Sequence, residues 1–266
     1  MPSKVIYSVE ERLATIVLAD PASRNAMSRE LVEELNAALD SAFAARDVAA
    51  LLITSEGIDF SAGGDLREMA LLPTRSLAEI EAVGRPIAEL FKRLAAAPKP
   101  VVAAVQGHAL GGGCGLACAA SITLAADDAR LGCPELRLGL FPFLIMPALR
   151  RAIGDRRALD LALSARLVDA HEARSIGLVT RCVPRDALAT EARALALRIA
   201  ASSPDALDLG LRAFHESGDL AADLAIERNL ALRTLCCKSP NLAEGARAFL
   251  ERRTPRWDYG MLGSSQ

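Results

Sequence analysis

The 266-residue chain has little of what several functional classes require. Histidine is scarce, with three residues, and aromatic residues make up only 4%. Lys4, Lys92, Lys99 and Lys238 are its only lysines, and the arginines are scattered without forming a basic tract. With a net charge of -2 as well, electrostatic capture of nucleic acid is not expected. The cysteines (Cys114, Cys118, Cys133, Cys182, Cys236 and Cys237) make no CxxC pair, and so few histidines cannot complete a zinc-ligand spacing. A zinc site therefore has little support. Reduced core thiols suit a chain of this size better than a disulfide framework, and they fit a cytoplasmic location. Residues 1–6 lack a basic stretch followed by an apolar core, so no secretory leader is expected there. The uncharged run 101–126 is long enough to span a bilayer, but it contains Gln106, His108 and a glycine cluster. It reads as a strand, a glycine turn and a buried helix, not as a membrane segment.

What is abundant is apolar residues, 52% of the chain, enough for a substantial core. Strand-like runs rich in β-branched residues occur at 5–9, 14–18, 50–54, 101–105 and 122–125. Helical periodicity occupies 28–45, where Ser28 is a suitable N-cap, and again 65–72 and 77–95. This alternation predicts an α/β fold with crossover helices. Strand signals stop after 182–183, and Ala- and Leu-rich helices follow at 187–201, 204–217, 220–236 and 241–252. The expected division is a core over 1–200 and a helical part over 201–266. The apolar faces of that second part exceed what a small appendage needs, which points to oligomer packing.

Three segments carry groups suited to chemistry. Gly107-His108-Ala109-Leu110-Gly111-Gly112-Gly113-Cys114-Gly115 follows a buried strand and opens a helix, so its backbone N–H groups can meet a negative oxygen. Cys118 stands where a dinucleotide fingerprint needs glycine, and no P-loop lysine is present. Asp59-Phe60-Ser61-Ala62-Gly63-Gly64-Asp65-Leu66 also joins a strand to a helix. There Asp65 and Glu68 resemble a capping box, so capping is the ordinary role of Asp65. Two strand-ending loops with exposed donors could together form an oxyanion hole. The third segment places Glu135 in an apolar, turn-rich stretch, either as an acid–base group with a raised pKa or as the ion-pair partner of Arg137 or a nearby Arg.

Taken with Arg24-Asn25-Ala26-Met27, Pro134-Glu135, Glu172-Ala173, Gly177-Leu178-Val179 and Phe249-Leu250-Glu251-Arg252-Arg253, these segments resemble the crotonase superfamily, the enoyl-CoA hydratase/isomerase family. The resemblance spans nearly the whole chain. It implies a spiral of strand-strand-helix turns with a helical C-terminal part that builds a homotrimer or hexamer. It also implies an acyl-CoA thioester substrate and no metal or redox cofactor, coenzyme A entering as part of that substrate. By position, the N–H groups of Ala62 and Gly112 would hold the thioester oxygen, and Glu135 would be the catalytic carboxyl. Arg24, Ala26, Ala62, Gly63, Gly64, Asp65, Leu66, Gly111, Phe249 and Arg252 match substrate- or CoA-contacting positions, the last two across a subunit boundary.

The sequence departs from the family pattern where hydration is concerned. Hydratases of this family hold water between two glutamates; Glu135 matches the second, but the first falls at Gly115. Ser121 replaces a common Asp. The run Phe141-Pro142-Phe143-Leu144-Ile145-Met146-Pro147 replaces a glycine-rich turn and implies a bulkier, drier pocket. A single carboxyl suits the shift of a double bond, so isomerisation is placed ahead of hydration by one Glu. A low-turnover acyl-CoA-binding scaffold is the third reading.

Overall fold

The computed structural model describes residues 2–259. Strands β1 (Val5–Glu10) and β2 (Leu13–Leu18) form an antiparallel hairpin. Its two turn residues, Glu11 and Arg12, both have positive φ (49° and 65°), the backbone of a type I′ turn. Helix α1 (Arg29–Ala44) is capped by Ser28, whose hydroxyl accepts from Leu31 N–H, and it buries Leu31, Val32, Leu35, Leu39 and Ala42. Then come β3 (Ala50–Ser55), α2 (Leu66–Ala70), α3 (Leu77–Ala95), β4 (Val101–Val105), β5 (His108–Leu110), α4 (Gly112–Ala119), β6 (Ile122–Ala126) and β7 (Arg130–Gly132). A 3-10 turn over Pro134–Leu138 leads to α5 (Met146–Ser164), β8 (Leu167–Asp169), α6 (Ala170–Ile176) and β9 (Arg181–Val183). Helices α7 (Leu188–Ala200), α8 (Pro204–Ser217), α9 (Ala222–Cys237) and α10 (Pro240–Leu250) complete the chain.

The main sheet has six strands in the order β1-β2-β3-β4-β6-β9, parallel after the hairpin. Alternate residues of each strand face opposite sides. Leu51, Ile53, Val101, Ala103 and Val105 pack toward Leu31, Leu35 and Phe60. Leu52, Val102, Ala104 and Leu124 pack on the other side against Leu188, Ala192, Leu195 and Ala196 of α7. Both faces are covered, which is why these strands read as unbroken apolar runs. A second sheet, β5-β7-β8, is extended by a parallel bridge between Ser61 and Ala109. Successive turns thus lay one strand in each stack, the strand-strand-helix spiral that the family resemblance implies.

The helical C-terminal part is also present, with 260–266 of its expected 201–266 outside the described residues. Its junction is polar. Buried Asp205 accepts from Ser239 Oγ and from Asn241 Nδ2 at 2.8 Å, and Asn241 exchanges two bonds of 2.7 Å with the Asp258 backbone. Trp257 Nε1 donates to Ala201 O at 2.7 Å and the Tyr259 ring lies under the Arg12 guanidinium. Both aromatic rings therefore serve packing within the chain.

Helices α5 and α6 and the three-residue strands other than β9, which falls on the signal at 182–183, carried no usable sequence pattern. Helix α5 bends at Gly154 (φ 76°), which breaks its apolar periodicity. Strands of three residues are too short for alternation to register.

Candidate active site

The segments after β3 and β4 leave neighbouring parallel strands at their C-terminal ends and are zipped together. Phe60 N–H donates to Gln106 O (2.8 Å), Ser61 N–H to His108 O (2.9 Å) and Leu110 N–H to Ser61 O (3.0 Å). Asp59, 3% exposed, ties the zipper to the chain before α1. Its carboxylate accepts from Arg24 Nε (2.6 Å) and from the His108 backbone N–H (2.8 Å), and it faces His108 Nδ1 at 2.8 Å. Burial alone would raise this carboxyl, but the Arg24 and His108 hydrogen bonds outweigh it and hold the pKa at about 2.

This anchoring decides which N–H groups can serve a ligand. Ala62 N–H, expected to hold the thioester oxygen, donates to Arg24 O at 2.9 Å. It is committed to fixing the loop, and the assignment of Ala62 as an oxygen-holding donor is corrected accordingly. Two residues further on, Gly64 N–H has no acceptor among the described residues. The same holds for Gly112 N–H in the first turn of α4, where helical N–H groups lack intrahelical partners. Met27 joins the two glycines: it bridges Gly64 in parallel, and its Sδ stands 2.5 Å from where a Gly112 Cβ would be. Gly64 was legible as a contact residue but not as a donor, because only the Arg24–Ala62 bond reveals which N–H is left.

Glu135 enters from the 3-10 turn after β7. Its Oε1 stands 2.8 Å from where a Cβ on Gly111 would lie, so the carboxyl rests against bare backbone at the start of α4. Its Oε2 is buried with no hydrogen-bond partner, and burial pushes the carboxyl above the usual carboxylate range. No ion pair with Arg137 or any other Arg forms at Glu135 among the described residues, so the structural alternative for Glu135 falls away. One turn along α4, the space beside Gly115 is filled: a Cβ there would stand 2.7 Å from Ile145 Cβ and 3.0 Å from Phe91 Cε1. Two free N–H donors and one proton-hungry carboxyl thus meet around a glycine surface with an apolar wall.

A profile described as "Enoyl-CoA hydratase/isomerase" matches residues 8–260. The chain belongs to the enoyl-CoA hydratase/isomerase family. It is 35% identical to a "Probable enoyl-CoA hydratase echA8" of Mycobacterium tuberculosis over 258 residues, covering 96% of this chain and 98% of the relative. It is 35% identical to a "2,3-dehydroadipyl-CoA hydratase" of Escherichia coli K12 over 254 residues, 95% of this chain and 98% of the relative. Among solved structures, a putative enoyl-CoA hydratase/isomerase (crotonase) from Legionella pneumophila superposes with a TM-score of 0.90 at 31% identity, covering 95% of this chain and 98% of that one.

In this enoyl-CoA hydratase/isomerase family member the remaining predicted residues divide. Gly63 packs against Leu110 O beside the zipper, and Ala26 is buried next to it. Asp65 caps α2 by accepting from Arg67 and Glu68 N–H, while the Glu68 side chain turns away to Arg29 N–H, leaving the capping box half-formed. Leu66 is exposed beside it. Phe249 and Arg252, at the end of α10, are exposed, and no hydrogen bond or ion pair among the described residues joins them to these loops. His108 is held by Asp59, as a structural histidine would be. Cys114 is fully buried; its hydrogen bond with Cys118 and its burial push the thiol well up, against a smaller opposing effect of Cys133, so it is no nucleophile.

Proposed function

We propose that the protein moves the double bond of an enoyl-CoA thioester by proton transfer through Glu135. The thioester oxygen accepts from Gly64 and Gly112 N–H, which stabilise the enolate; losing one such donor costs about 3 kcal/mol of transition-state stabilisation. The Glu135 carboxylate removes a proton from C2 of a 3-enoyl-CoA, the electron pair delocalises into the thioester, and the same carboxyl returns the proton at C4. The 2-enoyl-CoA product leaves with the carboxylate restored. A group that must both take and give a proton works best with its pKa near the operating pH, which the burial of Glu135 favours. The observation that carries this reading is a carboxyl whose buried Oε2 has no partner, resting on Gly111 one turn from the apolar filling at Gly115. No metal or redox group enters the scheme.

Hydration by the single Glu is the second reading, supported by the hydratase names of the relatives. An acyl-CoA-binding scaffold is disfavoured, since binding alone gains nothing from a buried, unpartnered carboxyl. Incubation with 3-enoyl- and 2-enoyl-CoA in heavy water, followed by mass spectrometry of the CoA products, separates the three. An unhydrated, isomerised product is expected, carrying deuterium only to the extent that the Glu135 proton exchanges with solvent before it is returned. Predominant hydration would overturn the isomerase reading, and CoA binding without any turnover would favour the scaffold. We further propose that the protein works as a homotrimer or hexamer, with Phe249 and Arg252 reaching the CoA of a neighbouring subunit.

A further inference from the structure

The wall opposite Glu135 is built by a side chain to which the proton shuttle assigns no role. Gly111 and Gly115 lie four residues apart, and Gly115 N–H donates to Gly111 O at 2.9 Å, so their bare α-carbons share one face of α4. Glu135 covers the first and Ile145 the second, with Phe91 behind it. Ile145 is 3% exposed, whereas Phe143 and Leu144 of the same run point outward, Phe143 at 67% exposure. Pro142 is also buried and Phe141 and Met146 are half-buried, but of this run Ile145 is the one whose side chain closes on Gly115.

A water molecule held in a protein interior needs about two to four polar partners. On this face Glu135 Oε2 is available, but at Gly115, the next position along the helix, the nearest atoms are the hydrocarbon of Ile145 and Phe91. We propose that Ile145 is the specificity-determining residue of the site. It fills the space in which a water would be held against Glu135, and so directs the carboxyl to carbon-to-carbon proton transfer and away from hydration. The inference rests on the proton-shuttle reading. Were that space opened, hydration would balance with the same groups. The water oxygen adds to C3 as its proton passes to Glu135, and Glu135 protonates C2 as the enolate collapses.

The test compares wild type with Ile145→Val and Ile145→Ala, each given 3-enoyl- and 2-enoyl-CoA in ¹⁸O-water. The ratio of ¹⁸O-hydrated to isomerised product is expected to rise from wild type to Val to Ala, by about tenfold in the Ala variant. Both products should vanish when Glu135→Gln is added. Folded variants that still isomerise at an unchanged ratio would overturn the role of Ile145. If the Ala variant does not fold, the Val variant carries the comparison. A second arm places a carboxylate beside Glu135. Gly115→Glu alone is expected to gain no hydration, because Ile145 holds the space, whereas Gly115→Glu with Ile145→Ala should hydrate. Equal hydration by the two would also overturn the role. Failure of the underlying reading would show in wild type itself, as absent isomerisation or predominant hydration.

Discussion

At the scale of single residues, Glu135 is in conflict with its surroundings, and that conflict is measurable. Its folded pKa is raised by burial, above an ordinary value of about 4.3. The unfolded chain therefore gives up this proton first as pH rises, and the native state is disfavoured from the ordinary pKa upward, fully so once the raised pKa is passed. Glu135→Gln should accordingly melt higher than wild type near pH 8, with the difference closing as pH falls toward about 4, as calorimetry across pH would show. The same variant should lose about 10²–10⁴-fold in turnover. In wild type, kcat/KM should rise with pH through an apparent pKa above the normal glutamate range, read from a pH–rate profile. Gly111 allows a separate check. Its φ of 50° is one that L side chains rarely adopt, and a Cβ there would press on Glu135 Oε1. Gly111→Ala should destabilise the fold by about 1–2 kcal/mol and lower kcat more than it raises KM.

At the scale of elements, two loops matter more than any helix, and Asp59 is what couples them. Its carboxylate joins Arg24 to His108, and Arg24 O in turn takes Ala62 N–H. Asp59 ionises at about 2 in the folded chain against an ordinary value of about 3.9. This lowered pKa contributes on the order of 2 kcal/mol, complete above the ordinary pKa and lost as pH falls toward 2. Asp59→Asn should lower stability by about that amount at neutral pH in urea unfolding, with the gap to wild type narrowing below about pH 3. Turnover should fall as well, since Gly64 and Gly112 sit on the loosened loops. The long elements were legible: α1 fills the predicted 28–45 periodicity with its Ser28 cap, and β3, β4 and β6 fall on the apolar runs. The turn at Glu11–Arg12 was not, because neither residue is one that favours positive φ.

At the scale of the whole molecule, the C-terminal helices leave much apolar surface uncovered. Phe214, Leu224, Ile226, Leu230 and Leu235 are all exposed on α8 and α9 and belong to neither core cluster. Surface of this kind is normally buried against a partner. Sedimentation should find a homo-oligomer, and Ile226→Glu with Leu230→Glu, one turn apart on α9, should shift it toward monomer. No helix among the described residues is long and apolar enough to cross a membrane, in keeping with the reading of 101–126 as strand, turn and helix.

The sequence by itself determined the layers of this fold and the single carboxyl. Apolar periodicity, capping residues and glycine clusters are local, and local patterns survive in one dimension. Which donors are free, and what Glu135 faces, were settled only by tertiary structure. Ala62 and Gly64 stand two positions apart in one motif, and a bond from Arg24, 38 residues away from Ala62 in number, spends one N–H and leaves the other. Likewise the missing side chain at Gly115 leaves no hole, because Ile145 arrives from a later turn of the spiral to fill it. Both facts depend on contacts between segments distant in the chain, and no spacing within a segment encodes them.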